Sequence, residues 1–465
     1  MIIRRVEISK LVGMRYDVSF YQERFDYSSQ IYPTYELGDI LYINPSVTFS
    51  ELTDNDVITY VPMEAIDERY GIISLAKNIT VANTKGYTKF KEGDLLWAKI
   101  TPCMQNGKSA IAQNLLKGVG CGSTEFFVLR PKSSNVLIKY IHFILRDYRV
   151  LKSAQNSFGG SAGQQRVSSS YLKTIRIPLP PIEIQQKLVD IYTAAQNAKL
   201  QKDKEAKELL ESIDNIVTQH LGIKLPEKSN FSETKYFTPI SKLIGQRYDP
   251  YFHNPYFEKA FAELAKSKYP LKKLGDISVL ITSGITPKAG GDAYTDSQNG
   301  IAFIRSGDID INGNINFEEL LYIKPEVHNK QMKSSKVYDN DIMIAIVGAT
   351  IGQVGIYHSE KEANINQAIA LVRLKDGYDP EYVKELIKSS IGQLNLDRLK
   401  RPVARANINL EEIASILIPI PEKIEVQTAI ANEIQNIRIK AETIVNKGFS
   451  ILENAKKTIE KMILG

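Results

Sequence analysis

Two segments of the chain carry apolar residues at alternating steps of three and four. One follows Pro181 and the other follows Pro421, and each runs for about 40 residues. A seam of this kind is typical of a helix that buries one face against another helix. The seam positions are Leu188, Ile191, Ala195, Ala198, Leu209, Ile213 and Ile216, and then Ile430, Ile434, Ile437, Ala441, Ile444, Ile451 and Ala455.

The rest of the chain has a different pattern. Short runs rich in Ile, Val, Tyr and Phe, such as 301–305 and 368–373, alternate with Gly, Asn, Asp and Pro. These runs indicate short strands between turns, with some helix interspersed, for example over 381–389. The pattern therefore predicts an α+β protein in which two mixed α/β domains are separated by two long helices.

The chain repeats itself. Residues 9–17, SKLVGMRYD, return as 241–249, SKLIGQRYD. Later anchors recur in the same order: Leu-Gly-Asp-Ile at 37 and 274, Gly/Asn-Asp-Leu/Ile at 93 and 340, and Ile-Pro-Leu/Ile-Pro at 177 and 418. The segments between the anchors differ. This arrangement predicts a pseudo-two-fold internal repeat whose frame is shared and whose connecting loops are not.

These patterns predict four segments. They are a mixed domain at 1–178, a central helix at 179–224, a linker and second mixed domain at 225–419, and a C-terminal helix at 420–465. The two seams most simply bury each other as an antiparallel coiled coil, because a whole domain separates them along the chain. About 40 helical residues give a length of ~60 Å.

Composition narrows the class of protein. The net charge of +6 is mild, so a nucleic-acid partner is compatible but not required. Cys103 and Cys121 are the only cysteines, which argues against a disulfide scaffold. The charged N-terminus does not resemble a signal peptide, and the longest apolar run is too short to span a bilayer. We therefore expect a cytoplasmic protein.

The sequence matches known catalytic motifs only weakly. Residues 102–109, PCMQNGKS, imitate a phosphate-binding loop, but Pro102 replaces its first small residue. Residues 249–252, DPYF, lack the second proline of the Asp-Pro-Pro-Tyr loop of amino-methyltransferases. The five histidines show no metal-ligand spacing. The repeated Arg-Tyr-Asp triplet at 15–17 and 247–249 favours a structural ion pair or turn.

Polar and basic residues instead cluster in predicted turns. Lysine and arginine suit phosphates, whereas Gln, Ser, Thr and Arg suit base edges, so together they predict a DNA-reading surface. The candidates are Gln105, Lys108, Gln164, Gln165, Arg166, Ser283, Thr286, Lys288, Arg305, Ser306, Lys333 and Arg405.

Two mixed domains, each followed by a Pro-Leu/Ile-Pro segment, a glutamine (Gln185 or Gln427) and a long helix, resemble the specificity (S) subunits of type I restriction-modification systems. The resemblance implies that each mixed domain is a target recognition domain reading half of a bipartite, asymmetric DNA site. The resemblance also implies that this chain has no catalytic residues and that it acts in a prokaryotic cell.

The same resemblance implies that other subunits bind to the long helices and that these subunits, not this chain, bind the cofactors. The helices would dock methyltransferase (M) subunits, and restriction (R) subunits would join the complex. S-adenosylmethionine, ATP and Mg would bind to those subunits and no cofactor or metal to this chain. The docking and coiled-coil positions would be Leu188, Ile191, Ala195, Ile213, Ile430, Ile434, Ile437 and Ile444. The alternatives are a specificity subunit of a type II enzyme and a scaffolding rod that binds no DNA.

Overall fold

A computed structural model describes residues 29–155, 157–158, 165–227, 235–245, 247–288, 291–310, 312–401 and 406–465. The first copy of the repeated opening, 9–17, lies outside these residues, as do Gln164 and Arg405. The described chain divides into two compact units. The first consists of the residues up to Asp203 together with Val445–Gly465, and the second consists of Lys204–Ile444.

The first unit contains two four-stranded sheets. Their orders are β6-β3-β10-β7 and β2-β11-β8-β9, and two-stranded sheets are formed by β1 with β12 and by β4 with β5. The strands are β1 Thr34–Glu36, β2 Leu41–Ile43, β3 Val57–Val61, β4 Ile66–Asp67, β5 Ile72–Ile73, β6 Lys77–Thr80, β7 Thr88–Lys91, β8 Leu95–Ala98, β9 Ser109–Ile111, β10 Val119–Gly122, β11 Phe126–Pro131 and β12 Arg176–Pro178. The helices before the long one are α1 Leu37–Ile40, α2 Ile138–Leu145, α3 Tyr148–Gln155 and α4 Ser169–Lys173.

The second unit repeats this plan. Its four-stranded sheet has the order β14-β22-β19-β20, and its larger sheet has the order β15-β17-β16-β21-β18. The strands are β13 Leu271–Lys273, β14 Ser278–Ser283, β15 Tyr294–Thr295, β16 Ile301–Ile304, β17 Leu321–Ile323, β18 Lys336–Val337, β19 Ile342–Ala345, β20 Val354–Ile356, β21 Ala363–Ile365, β22 Ile369–Leu374 and β23 Leu417–Pro419. The long helices are α5 Ile182–Leu221 and α10 Ile424–Leu464, and between them lie α6 Pro255–Leu264, α7 Pro380–Lys388, α8 Ser390–Leu399 and α9 Leu410–Ala414.

A buried ion pair fixes the same point of both frames. Asp94 accepts two hydrogen bonds of 2.7 Å from the Arg130 guanidinium, and Asp341 accepts bonds of 2.8 and 2.6 Å from Arg373. Each carboxylate belongs to a residue that is only 1% exposed. A buried carboxylate is tolerated when its charge is paired and its oxygens are hydrogen-bonded. The repeated aspartate of the sequence is therefore a structural anchor.

A buried glutamine secures the start of each long helix. Gln185 donates to the carbonyl oxygen of Pro180, and Gln427 donates to that of Pro421, both at 2.8 Å. The two glutamines are 0% and 1% exposed. A proline cannot continue a hydrogen-bonded strand, so the chain turns there and the glutamine satisfies the carbonyl that the turn leaves open.

The predicted coiled coil is confirmed within each unit. In the first unit Leu188 and Val189 share a buried cluster with Ile459 and Ile463. In the second unit the pairing runs in the same antiparallel sense: Ala206 clusters with Ala441 and Ile444, and the residues Ile213, Val217 and Leu221 cluster with Ile430, Ala431 and Ile434.

The second copy of the Arg-Tyr-Asp triplet has the structural role that the sequence favoured. The Arg247 guanidinium pairs with Asp249 at 2.8 Å and with Glu412 at 3.3 Å, and it donates to the carbonyl oxygen of Leu399 at 2.7 Å. Phe252, which follows the triplet, is buried. This triplet therefore ties the start of the second domain to its end.

Candidate DNA-reading surface

The second unit gathers its candidate residues at one end of the larger sheet. Strands β16 and β21 run parallel, with Ile304 beside Ile365. Their following residues, Arg305 and Asn366, therefore leave the sheet at the same end, and the Asn366 N–H donates to the carbonyl oxygen of Ile304 at 3.0 Å. Ser306 belongs to the same turn as Arg305.

The loop 283–288 packs on this end. The Gly284 N–H donates to the carbonyl oxygen of Asn366 at 3.3 Å. A Cβ at Gly284 would lie 1.7 Å from the backbone oxygen of Ile365, so no larger residue fits there. The Thr286 hydroxyl contacts the side chain of Gln367. Ser283, Thr286 and Lys288 thus join the turns after β16 and β21, and Thr286 and Lys288 are exposed.

Lys333 reaches the same end from the neighbouring strand. Strand β18 is antiparallel to β21 and places Lys336 opposite Asn364. The residues just before β18 therefore lie toward the end that carries Asn366, and Lys333 is exposed there. Buried His328 contacts Glu362 at 2.8 Å and the side chain of Asn364, two residues before Asn366.

Ion pairing orients the arginine of this surface. Arg305 donates to Asp308 through Nε at 3.1 Å and Nη2 at 2.7 Å. The hydrogen bond to Asp308 raises the pKa of Arg305 above its ordinary value. The guanidinium is therefore held in one direction, whereas Lys288 and Lys333 lie on exposed stems that suit phosphate contacts.

The first unit has the equivalent sheet end. Strands β3 and β10 are parallel, with Val61 beside Gly122, so the turns 62–64 and 123–125 leave at the same end. Lys108 lies here, with its Nζ 3.5 Å from the carbonyl oxygen of Met63 and 3.7 Å from Glu68.

Arg166 and its neighbours hold the turn 123–125 in place. Arg166 donates to both carboxylate oxygens of Glu125, at 2.9 and 2.8 Å. This hydrogen bonding lowers the pKa of Glu125 below its usual value, although burial opposes the change. The carbonyl oxygen of Gln165 accepts from the Thr101 N–H at 3.0 Å, while Gln105 is exposed in the loop that follows.

One cavity lies on this surface. It has a volume of about 360 Å³ and opens beside the turns 62–64 and 123–125. The rings of Tyr60 and Tyr87, whose centroids are 5.0 Å apart, line it together with Lys85. Aromatic faces and a lysine suit stacking and phosphate contacts.

Sequence reasoning missed several residues of these surfaces. Gln367, Tyr60, Tyr87 and Thr124 stand alone in the sequence, and only the parallel pairing of distant strands brings them to the sheet ends. The sequence offered one indication of these residues: each lies in or next to an apolar run that ends in a turn.

The eight positions assigned to docking and the coiled coil are part of the helix seam. Leu188, Ala195, Ile213, Ile430, Ile434 and Ile444 are buried, and Ile191 and Ile437 are partly buried against the same clusters. Their burial leaves them little surface for a partner, so docking of M subunits on these helices stays a prediction.

No group of three or more His, Cys, Asp or Glu side chains in the described ranges could hold a metal ion. No helix in the same part of the chain is long and apolar enough to cross a membrane.

Comparison with known proteins shows what this chain is similar to. Residues 32–211 match the family model for the type I restriction modification DNA specificity domain. This region is therefore similar to the DNA specificity domain of that family, in agreement with the resemblance in the sequence.

Curated relatives agree. The chain is 33% identical over 202 residues to the type I restriction enzyme EcoAI specificity subunit of Escherichia coli, covering 42% of this chain and 33% of that protein. It is 38% identical over 159 residues to the EcoEI specificity subunit of Escherichia coli, covering 34% of this chain and 26% of that protein. The chain thus matches about a third or less of the length of these relatives.

Two longer matches cover both halves. A putative type I restriction enzyme MjaX specificity subunit of Methanocaldococcus jannaschii is 25% identical over 80% of this chain and 77% of its own length. A chain from a solved structure concerned with complex assembly and conformational transition of the type I R-M system covers 94% of this chain and 98% of its own, with a TM-score of 0.54 and 15% identity. The structural match shows the shared fold.

Proposed function

We propose that this protein is the sequence-specific DNA-binding specificity subunit of a type I restriction-modification complex, and that it reads an asymmetric bipartite target. One observation carries the proposal. The two units share sheet order, the buried aspartate-arginine pair and the helix-start glutamine, yet they present different side chains at the equivalent sheet ends. Two identical readers would select a palindrome, so two different readers select two different half-sites.

The proposal assigns a separate task to each part. The sheet ends around Lys108 and Lys288 contact DNA, with lysines on phosphates and Thr, Gln and Ser side chains on base edges. The paired helices hold the two readers in one chain, which leaves an unread spacer between the half-sites.

The catalytic steps belong to other subunits in this proposal. The chain itself is non-catalytic and acts in the cytoplasm of a prokaryotic cell. Methyltransferase subunits dock on it and bind S-adenosylmethionine, and restriction subunits supply the ATP- and Mg-dependent steps. The curated relatives are named as type I specificity subunits, which favours this assembly over a type II enzyme.

Selection of duplexes tests the proposal. The chain, co-purified with its M subunits, is incubated with a random duplex library, and the bound duplexes are sequenced. We expect two different half-sites at a fixed separation. A matched pair of variants assigns them: Thr286→Ala changes selection only in one half-site, and Gln105→Ala only in the other. Recovery of duplexes without any common sequence would contradict DNA reading and favour a scaffolding role.

A further inference from the structure

A tight turn at Asp67–Gly71 joins β4 to β5 in the first unit. The Asp67 carboxylate accepts the backbone N–H groups of Arg69 at 2.8 Å and Tyr70 at 3.0 Å. The Gly71 N–H donates to the carbonyl oxygen of Asp67 at 2.8 Å, and Gly71 has a φ of +68°. Side-chain acceptance by an aspartate and a left-handed glycine make this turn well defined.

One side of the turn is attached to its own domain. Arg146, at the end of α2, donates to the carbonyl oxygens of Glu68 at 2.7 Å and Arg69 at 3.2 Å, and also to that of Gly107 at 2.9 Å. A Cβ at Gly71 would lie 2.6 Å from Nη1 of Arg146. The turn therefore moves with the domain that carries the first DNA-reading surface.

The other side of the turn contacts α5. The Tyr70 hydroxyl donates to Asp203, and Gln196 donates to the backbone carbonyl oxygen of Tyr70. Lys199 pairs with Asp203, and its Nζ lies 5.4 Å from the centroid of the Tyr70 ring. The helix residues are spaced by three and four, so they lie on one helical face.

The carboxylate at the centre of this contact is well satisfied. The side chain of Asp203 is 14% exposed. Burial would raise the pKa of Asp203, but hydrogen bonds from Lys199 and Tyr70 hold it below its usual value. Asp203 is therefore charged at neutral pH, and its bonds to the turn are charge-assisted.

The second helix limits the movement of α5 at the same level. A Cβ at Gly448 of α10 would lie 3.1 Å from Cβ of Lys202 and 3.4 Å from Cα of Lys199. The two backbones thus approach closely where the turn of the domain also contacts α5. A rotation of the domain about α5 would break these contacts in addition to the packing of Leu188 and Val189 in the domain core.

The second unit holds its equivalent turn differently. The turn 310–313 follows β16 as the turn 67–71 follows β3. There Lys388 of α7 donates to the carbonyl oxygen of Asn312, and a Cβ at Gly313 would lie 2.4 Å from the backbone oxygen of Val354. These contacts are made within the second mixed domain. The second domain contacts its long helix α10 through the ion pair of Glu385 with Arg438.

We propose that Tyr70, Gln196 and Asp203 are positioning residues that fix the angle of the first recognition domain on α5, and thereby the spacer length that the protein accepts. The inference rests on the proposed function. These three residues form the contact between domain and helix, whereas Lys108 of the reading surface contacts a different residue of the turn, Glu68, at 3.7 Å. Loosening the contact should relax the spacing of the half-sites and leave their sequences unchanged.

The test uses Tyr70→Phe, Asp203→Asn and Gln196→Ala in the complex with M subunits. The probe is a set of duplexes with both half-sites fixed and the spacer varied by single base pairs. We expect recovery of spacers one base pair longer or shorter, relative to the preferred one, to rise about tenfold, the factor that ~1.4 kcal/mol produces. Glu211→Gln is the matched control, because it weakens an exposed pair with Lys207 on the same helix.

The outcomes distinguish failure of the positioning role from failure of the proposed function. An unchanged spacer profile in Asp203→Asn and Gln196→Ala overturns the positioning role. Trp97 is buried in the first unit, so its fluorescence follows unfolding of that unit. A change in half-site sequence, or loss of the unfolding transition seen by this fluorescence, also overturns the positioning role, since either shows a role in reading or folding. Absence of half-site preference in the wild type instead contradicts the proposed function itself.

Discussion

Replacing the arginine of each buried ion pair tests whether the frame is truly duplicated. Arg130→Met in the first unit, or Arg373→Met in the second, leaves an aspartate that is 1% exposed without its cation. Removing one partner of a buried pair typically costs about 3–5 kcal/mol, because the remaining charge cannot be solvated. With a urea dependence of about 3 kcal/mol per M, that loss lowers an unfolding midpoint by about 1–2 M.

The single tryptophan makes the assay specific to one unit. Trp97 is 1% exposed in the core of the first unit, stacked on Phe127 with ring centroids 6.3 Å apart. Its fluorescence therefore reports the unfolding of that unit, while circular dichroism reports both. We expect Arg130→Met to shift the fluorescence midpoint, and Arg373→Met to leave it in place while an early transition enters the dichroism signal.

Two results would refute this reasoning. A midpoint shift equivalent to less than about 1 kcal/mol in Arg130→Met would show that the pair is not an anchor, since exposed pairs contribute that little. An equal shift of the fluorescence midpoint in both variants would show that the two frames do not unfold as separate units. Lys207→Met, which removes one member of an exposed pair, serves as the control.

Three further predictions follow from the same structure. Lys288→Ala should weaken binding to all duplexes and reduce the slope of log K against log salt by about 1, and a salt titration that matches the wild type would remove this residue from the phosphate contacts. Burial lowers the pKa of Lys388 to about 8 from 10.5, so the folded protein binds fewer protons at this group than the unfolded protein between these pH values. The free energy of unfolding of the wild type, relative to that of Lys388→Met, should therefore rise by about 2–3 kcal/mol from pH 8 to 10.5 in urea unfolding. A difference that does not change with pH would contradict the burial of Lys388. Insertion of one heptad into both long helices should change the preferred spacer and keep both half-sites, and methylome sequencing that shows altered half-sites would contradict the separation of reading from spacing.

The sequence predicted the repeated frame well because its anchors are local. The structure starts α5 and α10 at Ile182 and Ile424, just after the prolines that suggested them. Most predicted seam positions are buried or partly buried, but Ile451 is exposed and the end of the α10 seam is formed by Ile459 and Ile463. The anchors Ile177 and Ile418 are buried as well. The predicted domain boundaries stay predictions.

The reading surface was less accessible to sequence reasoning. Lys288 and Arg305 stood out as members of basic turns, but Gln367 did not, because its contact with Thr286 spans 81 residues. Likewise, the partner of Asp94 is Arg130, 36 residues away on the neighbouring strand. Such contacts depend on strand order, which local patterns do not determine.

Mapping the methylated bases in cells that carry this chain and its M subunits tests the central claim most directly. We predict one asymmetric motif made of two different half-sites with a spacer of constant length. A palindromic or uninterrupted motif, or methylation that does not depend on this chain, would contradict the account of two different readers held in one frame.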